Sequence, residues 1–396
     1  MKKIIISLTA LFFLSQIAAA SQKIVMLKEN KTISMSKDEI SSLSGKIIRE
    51  LPLINAVVVQ FPDYIKDAEI YTLPSVDKVE EDSYRKWIEE TSFAANPLPT
   101  VESVLSKIKE GEYSFDLEIP KITPEEQKEM PWGVSKVNAY GAWEYTQGEG
   151  VKVAVIDTGI DYNHPDLKPN YKGGYNAVKQ NNDPLDDQGH GTHVAGTIAA
   201  VRDLNGVVGV APKAQLYSAK VLDSNGSGQY SWIIDGIQWA VNNKMQVINM
   251  SLGGPSGSEA LKAAVDAAYK AGITVVCAAG NDSGPVNYPA KYDSAIAVSA
   301  SDINNKIASF SSRGAEIDFI APGVSVYSTY KGGIYKSLSG TSMASPHMAG
   351  LAALAVSAGA KNPDEVRSML KKAAYSLGLK PTEEGNGFID ASKLIK

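Results

Sequence analysis

The stretch GTSMASPHMAG (Gly340–Gly350) sets a serine, Ser342, among small residues and leads into the apolar run Leu351–Ala358. This pattern predicts a tight turn that feeds the N-terminus of a buried helix. The unpaired N–H groups and partial positive charge of such a helix start can stabilise a serine alkoxide and a neighbouring oxyanion. Pro346 is expected in the first turn, where a missing N–H costs little. On this stretch alone, Ser342 is equally well interpreted as the N-cap of a core helix.

Length and composition narrow the class of protein. With 396 residues, the chain has room for a signal or pro-segment followed by one large domain, or for two domains. The net charge of −5, with no long basic tract, argues against a nucleic-acid-binding surface. Cys277 is the single cysteine and lies in an apolar run, which favours a core residue and excludes an intrachain disulfide.

The N-terminus has the pattern of a secretory signal peptide over residues 1–20. Lys2 and Lys3 precede the short apolar run Ile4–Leu14, and Ala18–Ala20 supply the small residues of a cleavage site. The run is too short for a membrane-spanning helix, and no other span is expected. We therefore predict a protein that is secreted, either to the periplasm or out of the cell.

Residues 21–88 predict a small α+β domain with the ferredoxin-like order β-α-β-β-α-β. Its first helix is expected over Ser36–Leu43, because Ser36 and Glu39 have the spacing of a capping box, and its second over Asp63–Leu73. Residues 89–127 are rich in proline and charged residues and predict a linker, with one possible helix at Val101–Lys109.

Residues 128–396 predict an α/β domain, a parallel sheet with helices on both faces. Buried strands are expected at Val151–Ile156, Gln246–Met250 and Ile273–Ala279. Chemistry in such sheets gathers at the carboxyl ends of the strands. Asp157, Ser251 and Asn281 all stand at or just beyond these ends.

A nucleophilic serine requires a base within hydrogen-bonding reach and a carboxylate that fixes the base's tautomer. His190 at a predicted helix start and Asp157 at a strand end can supply these to Ser342, and each of the three lies close to glycine. The backbone N–H of Ser342 and the side chain of Asn281 are the expected oxyanion donors. The other three histidines, His164, His193 and His347, are expected to be structural.

Four motifs together resemble the subtilisin family of serine proteases. They are AVIDTGID (Ala154–Asp161), HGTHVAGT (His190–Thr197), AAGN (Ala278–Asn281) and GTSMASPH (Gly340–His347), in the family's order Asp, His, Ser. The similarity extends from about Pro131 to Ile395. The resemblance implies that Ser342 is the nucleophile, His190 the general base, Asp157 the orienting carboxylate and Asn281 an oxyanion donor.

The resemblance also implies an extended protein or peptide substrate that adds as a strand to two backbone segments. Its implied contacts are Ser227, Gly228, Tyr230, Ser251, Leu252, Gly253, Gly280 and Asn287. Tyr230 would border a pocket for a residue before the scissile bond. Asn287 stands where the family often has glycine, so the residue preference stays open.

A structural Ca²⁺ ion is implied as well, and no cofactor is implied for catalysis. The implied ligands are the carboxylates of Asp166 and Asp203 and the carbonyls of Val201, Asn205 and Val207, an oxygen-only set that suits calcium. The family's further glutamine ligand has only Lys128 or the adjacent Gln127 as a counterpart. A weaker second cation site would involve Glu316, Asp318 and carbonyls near Ala290–Ala295, with a solvated carboxylate pair as the alternative.

Residues 23–88 resemble the family's propeptide, which assists folding and inhibits the enzyme. Maturation is implied near Ile88, within the linker, or at both. The sequence thus predicts a secreted, monomeric serine endopeptidase that matures by self-cleavage. The competing hypotheses are a catalytically silent binding protein with the same fold and a secreted esterase that uses the same triad.

Overall fold

The computed structural model describes residues 21–88 and 123–394, and its contacts divide the chain into two compact units. The first consists of residues 21–50 and 55–82, and the second of residues 51–54 and 83–394. The helix predicted at Val101–Lys109 and the predicted signal peptide, residues 1–20, lie outside the described residues. None of the helices in the described ranges is long and apolar enough to cross a membrane.

The first unit is a four-stranded sheet with two helices, in the predicted order β-α-β-β-α-β. Its strands have the spatial order β2-β3-β1-β4, and β1 pairs antiparallel with both β3 and β4. A core cluster that includes Val25, Ile40, Val57 and Phe61 holds it together. Its elements are β1 (Gln22–Leu27), α1 (Ile33–Ser42), β2 (Lys46–Leu51), β3 (Ala56–Gln60), α2 (Asp67–Ile70) and β4 (Val76–Glu81).

Two details of the first unit differ from the sequence prediction. Helix α1 begins three residues early, because Thr32 caps it by accepting a hydrogen bond from the Met35 N–H. The predicted capping-box glutamate, Glu39, instead accepts the N–H and hydroxyl of Ser75. The predicted second helix is also shorter, since only Asp67–Ile70 is helical.

The second unit is built on a nine-stranded sheet in the order β16-β17-β13-β12-β11-β10-β6-β8-β7. Neighbouring strands run parallel except for the edge pair β16–β17. Helices flank this sheet, so the predicted α/β class is confirmed. The strands are β6 (Lys152–Asp157), β7 (Tyr171–Asn176), β8 (Gln215–Lys220), β10 (Val247–Met250), β11 (Thr274–Ala278), β12 (Ala295–Ser301), β13 (Ile317–Pro322), β16 (Ala374–Tyr375) and β17 (Phe388–Ile389).

Two further strand pairs lie outside this sheet. Strand β5 (Tyr84–Lys86) pairs with β9 (Ser227–Gln229), and β14 (Val326–Tyr330) forms a hairpin with β15 (Ile334–Leu338). The helices of this unit are α3 (Pro124–Glu129), α4 (Trp132–Lys136), α5 (Ala139–Trp143), α6 (His190–Ala199), α7 (Tyr230–Asn242), α8 (Glu259–Lys270), α9 (Thr341–Ser357), α10 (Pro363–Ala373) and α11 (Pro381–Glu384). Short 3-10 turns cover Pro52–Ile54 and Ala391–Lys393.

Helix α9 runs through the middle of the core. Residues 341–355 are all buried, which is the expected state of a helix that is apolar or small-sided all round. The helix begins at Thr341, so Pro346 is its sixth residue and not part of its first turn. This corrects the sequence prediction and leaves one helical carbonyl without its usual donor.

The order of the strands brings the predicted site residues to one edge of the sheet. Strand β6 lies between β10 and β8, so the chain leaves β6 for one side of the sheet and later returns to the other. Such a reversal opens a crevice at the carboxyl ends of the strands. Asp157 ends β6, Ser251 follows β10, and Asn281 follows β11.

Candidate active site

Asp157 and His190 form a buried hydrogen-bonded pair. The His190 Nδ1 atom lies 2.8 Å from one carboxylate oxygen of Asp157 and 3.0 Å from the other. Asp157 is fully buried, and the N–H of Thr158 also donates to its carboxylate at 2.7 Å. A carboxylate held in this way fixes the Nδ1–H tautomer of the imidazole and leaves Nε2 as the basic atom.

Glycine residues allow the backbone that carries His190 to pack closely. Gly189, the N-cap of α6, has φ of +116°, and a Cβ there would lie 2.3 Å from the ring of Tyr330. A Cβ on Gly191 would lie 2.1 Å from the Gly159 carbonyl oxygen. Helix α6 can therefore lie directly against the turn that follows Asp157.

Ser342 is the second residue of α9, and 7% of its surface is exposed. Its hydroxyl donates to the Ser251 carbonyl at 3.1 Å. The predicted turn and helix start are therefore present, and the hydroxyl lies beside the end of β10. This position leaves Ser342 accessible from the cleft, as a nucleophile must be.

The amide of Asn281 is held in one orientation by the residue that precedes Ser342. Its Oδ1 atom accepts from the Thr341 N–H at 2.8 Å and from the Thr341 hydroxyl at 2.9 Å. With Oδ1 occupied, the Nδ2 donors are available to the cleft. This role of Thr341 was not predicted from the sequence, although its place in the GTS motif next to Ser342 was a usable signal.

A cavity of about 100 Å³ adjoins these residues. Its wall includes Ser342, Asn281, Gly280, Asn287 and Leu252. Gly280 has φ of +118°, and a Cβ there would lie 2.5 Å from the Asn287 amide nitrogen. Glycine at position 280 is thus what allows the Asn287 side chain to reach the cavity.

An extended segment of the chain lies along the predicted substrate-binding backbone. Arg85 is paired with Gly228 and Lys86 with Ser227 in the antiparallel register of β5 and β9. The segment continues past β5, where the N–H of Trp87 donates to the Gly226 carbonyl at 3.0 Å and the Gly253 N–H donates to the Trp87 carbonyl at 3.1 Å. These backbone groups therefore bind a strand of peptide.

Tyr230 also contacts this segment. Its ring packs edge-on against Trp87, with centroids 4.9 Å apart, and its hydroxyl accepts from the Arg85 guanidinium at 3.4 Å. Arg85 lies directly over Gly254, where a Cβ would meet the guanidinium at 2.1 Å. Arg85 and Trp87 also form part of the cavity wall, which was not predicted from the sequence.

The predicted calcium loop closes around a buried carboxylate. Asp166 is 2% exposed, and its oxygens accept from the Val207 N–H and the Tyr335 hydroxyl, each at 2.9 Å. Burial, with the neighbouring charge of Asp203, raises the pKa of Asp166. The described residues contain no group of three Asp, Glu, His or Cys side chains placed to hold a metal. The oxygen donors at Asp166 and the loop carbonyls still fit a calcium ion in their chemistry.

Glu129, and neither Lys128 nor Gln127, contacts this loop. Its carboxylate accepts from the Leu204 N–H at 2.7 Å, and its carbonyl accepts from Val208 at 3.0 Å. Glu129 is buried, whereas Gln127 and Lys128 are exposed. Helix α3 sets this register, and it forms where a linker was predicted over residues 89–127.

The remaining candidates lie apart from the cleft. Asp318 and Glu316, suggested for a second cation site, form ion pairs with Arg367 at 2.6 Å and Lys291 at 3.3 Å. Both carboxylates are partly exposed, and each is paired with a cation. His164, His193 and His347 are fully buried and hydrogen-bonded to backbone atoms, as expected of structural residues.

Comparison with known proteins is consistent with this geometry. Residues 148–389 match the subtilase family, peptidase family S8. The chain is 46% identical to subtilisin E of Bacillus subtilis over 354 residues, which cover 86% of this chain and 81% of that protein. It is 54% identical to a subtilisin of Bacillus pumilus over 261 residues, which cover 63% and 93%. It is 51% identical to subtilisin Savinase of Lederbergia lenta over 268 residues, which cover 66% and 97%. The chain therefore belongs to the subtilase family and is a serine-type endopeptidase.

Proposed function

We propose that Asp157, His190 and Ser342 form a catalytic triad that cleaves peptide bonds through an acyl-enzyme. The observation that carries this proposal is the buried Asp157–His190 pair at the start of α6, a helix that packs against α9. The Ser342 oxygen attacks the substrate carbonyl carbon while His190 Nε2 accepts the hydroxyl proton. The C–N bond breaks as His190 returns that proton to the leaving amine. Water then repeats these steps and releases the acid.

The developing oxyanion would be stabilised by the Asn281 amide and the backbone N–H of Ser342. Oriented donors of this kind act because they need no reorganisation as the charge forms. The two hydrogen bonds from Thr341 to the Asn281 oxygen support the assignment, since they direct its N–H₂ group away from Thr341.

Substrates would bind as an extended strand along Ser227–Gln229 and the segment Ser251–Gly253. The hydrogen bonds of β5 and Trp87 with these segments support this assignment, because any peptide offers the same backbone donors and acceptors. Tyr230 would bound one side-chain pocket. Gly280 and Asn287 would line another beside Ser342.

The N-terminal part would act as a propeptide, a folding aid and inhibitor that the enzyme removes from itself. Two observations support this. Residues 84–88 lie along the backbone that would bind substrate, and the similarity to subtilisin E covers 86% of the chain, well beyond residues 148–389. Cleavage near Ile88, within residues 89–127, or at both would release the mature domain.

The mature enzyme would be a secreted monomer that binds structural Ca²⁺ at Asp166, Val201, Asp203, Asn205 and Val207. The signal-like pattern of residues 1–20 supports secretion. The buried carboxylate of Asp166 supports a cation at the loop, because a nearby positive charge would offset its desolvation.

Kinetics with a peptide anilide and a matched simple ester test the catalytic proposal. The wild-type enzyme should hydrolyse both substrates. Ser342→Ala should hydrolyse neither substrate faster than the small residual rate that remains when a triad member is removed. A sulfonyl fluoride should attach one sulfonyl group to the wild type, which mass spectrometry detects, and none to the Ser342→Ala variant. Retention of amide hydrolysis by Ser342→Ala would refute the triad, and turnover confined to the ester would favour an esterase.

A further inference from the structure

Pro346 deprives the residue that carries the nucleophile of a helical hydrogen bond. In an α-helix, each carbonyl accepts from the N–H four residues later. The carbonyl of Ser342 would therefore accept from residue 346, which is proline and has no N–H. Because Ser342 is buried, this carbonyl needs another donor.

The Ser251 hydroxyl supplies that donor. It donates to the Ser342 carbonyl at 2.8 Å, while the Ser342 hydroxyl donates to the Ser251 carbonyl at 3.1 Å. Ser251 thus contacts Ser342 twice, once through its side chain and once through its backbone. The position of the nucleophile depends on where the single proton of the Ser251 hydroxyl is directed.

Asn249 and Ser345 determine that direction. The Asn249 Nδ2 group donates to the Ser251 hydroxyl oxygen at 2.9 Å, and its Oδ1 atom accepts from the Ser345 hydroxyl at 2.8 Å. With its oxygen accepting from Asn249, the Ser251 hydroxyl is left to donate to Ser342. All of Asn249, Ser251 and Ser345 are fully buried, so water does not compete for these bonds.

The resulting chain of hydrogen bonds begins and ends on one turn of α9. It runs from Ser345 to Asn249, then to Ser251, and finally to the Ser342 carbonyl. Asn249 lies in β10, an interior strand whose partners on either side are β6 and β11. These hydrogen bonds therefore connect the turn that carries Ser342 to an interior strand of the sheet.

We propose that Asn249 is a positioning residue for the nucleophile, which acts on Ser342 through the Ser251 hydroxyl and is itself oriented by Ser345. This inference rests on the proposed role of Ser342. Without the Asn249 amide, the Ser251 hydroxyl can rotate, and the Ser342 carbonyl loses its fixed donor. The nucleophile then samples more positions, which lowers the rate of attack more than it lowers substrate binding.

The test compares kcat and KM on a peptide anilide for Asn249→Ala, Ser345→Ala, Ser251→Ala and the double variant Asn249→Ala/Ser251→Ala. Loss of one hydrogen bond that positions the nucleophile should lower kcat about 10-fold in Asn249→Ala, with KM changed less than about twofold. The kcat of the double variant should be at most about twofold lower than the kcat of Ser251→Ala, since both changes break the same chain of hydrogen bonds. Sulfonylation of Ser342 should slow in parallel with kcat.

Ser299→Ala is the matched control, because Ser299 is also a fully buried serine of the same sheet, and its hydroxyl donates to the carbonyls of Phe319 in β13 and Glu383 in α11. It should lose stability and keep its kcat. If Asn249→Ala loses stability with an unchanged kcat, or if the double variant shows the product of the two single losses, the proposal is wrong. Should Asn249→Ala fail to fold, Ser345→Ala decides by the same criteria.

Ser342→Ala separates this inference from the proposed function. If Ser342→Ala still cleaves the anilide, the triad itself is wrong. If Ser342→Ala is inactive and Asn249→Ala keeps the kcat of the wild type, only the positioning role is wrong.

Discussion

The Nδ1 atom of His190 lies within 3.0 Å of both carboxylate oxygens of Asp157, a residue that the solvent does not reach. Both oxygens can accept only if Nδ1 carries the proton, so the pair fixes the tautomer as well as the orientation of the ring. The two residues are 33 positions apart in sequence. They meet because β6 ends where α6 begins.

Replacing the carboxylate by an amide should preserve the shape of the site and destroy its chemistry. We expect Asp157→Asn to lower kcat by about 10⁴, because the amide N–H₂ can stabilise the wrong imidazole tautomer. Steady-state kinetics with a peptide anilide measures this loss. Asp302→Asn is the control and should keep full activity, because this aspartate lies in a loop and accepts from the N–H groups of Asn304 and Lys306. A loss below tenfold in Asp157→Asn would contradict the assigned role.

The oxyanion donors can be tested in two steps. Asn281→Ala should lower kcat by about 10²–10³ with little change in KM, since the amide acts on charge that develops in the transition state. Thr341→Val keeps the backbone bond to the Asn281 oxygen at 2.8 Å. It removes the hydroxyl bond to that oxygen and also the bond that the hydroxyl accepts from the Gly280 N–H at 3.1 Å. Because the backbone bond still orients the Asn281 amide, the loss of kcat should be smaller than in Asn281→Ala, about 10-fold. An unchanged kcat in Asn281→Ala would remove this residue from the site.

Calcium removal should destabilise the enzyme, because a ligand that binds only the folded state stabilises it by mass action. We expect the Tm of Ser342→Ala, used to prevent autolysis, to fall when EGTA replaces calcium. The added change Asp166→Asn should reduce this calcium-dependent shift. The measurement is differential scanning calorimetry, with isothermal titration to count bound ions. An equal shift with and without Asp166→Asn would exclude Asp166 as a ligand.

Two buried histidines should make the enzyme sensitive to acid. Burial lowers the pKa of His193 to about 3 and that of His347 to about 4, both below the unfolded value of about 6.5. A lowered folded pKa gives stability that is full above pH 6.5 and is lost as the pH falls toward 4. Each histidine should contribute a slope of about 1.4 kcal/mol per pH unit in that window.

Urea unfolding of Ser342→Ala between pH 7 and pH 4.5 measures this slope. The slope of the free energy of unfolding against pH should be smaller in His347→Gln, by the contribution of about one proton. We choose glutamine because its amide can donate to the Met343 carbonyl that His347 contacts at 2.8 Å. An identical slope in both proteins would show that His347 does not stay neutral in the fold.

The segment along β9 should inhibit the mature enzyme when supplied as a peptide. We expect the hexapeptide of residues 83–88 to compete with substrate. Trp87→Ala should weaken it by about 10-fold, through loss of the indole hydrogen bond to Gly228 at 2.9 Å and of the contact with Tyr230. Lys86→Ala is the control, because the Lys86 side chain is exposed. The measurement is the inhibition constant of each peptide, from competition kinetics. Equal inhibition constants for the Trp87→Ala and Lys86→Ala peptides would show that the Trp87 side chain does not contribute to binding.

The sequence was most informative where one strong local rule applies. Asp157, Ser251 and Asn281 follow buried strands, and parallel sheets bring strand ends to one edge, so their convergence was predictable. It was less informative where two local signals compete. Ser36 and Glu39 match a capping box, yet Thr32 caps the helix, and the Glu39 carboxylate accepts from Ser75 instead. No local sequence pattern predicts a hydrogen-bond partner 36 residues away.

Contacts that join distant segments were missed for the same reason. The contact of Glu129 with Leu204 depends on how α3 meets a loop 75 residues later. The hydrogen bonds that join Ser345, Asn249 and Ser251 could not be predicted from the sequence, because their role depends on where α9 begins. Since α9 begins at Thr341, Pro346 is the residue that would donate to the Ser342 carbonyl, and it has no N–H. The sequence therefore predicted a set of reactive residues, and the structure was needed to see the contacts that hold them in place.

The most direct test of the account is the intact mass of the chain expressed without residues 1–20, as wild type and as Ser342→Ala. The wild type should lose its N-terminal part and Ser342→Ala should stay full length, with the masses locating the junction near Ile88 or within residues 89–127. A Ser342→Ala chain that is processed in purified form at the rate of the wild type would contradict self-cleavage by Ser342.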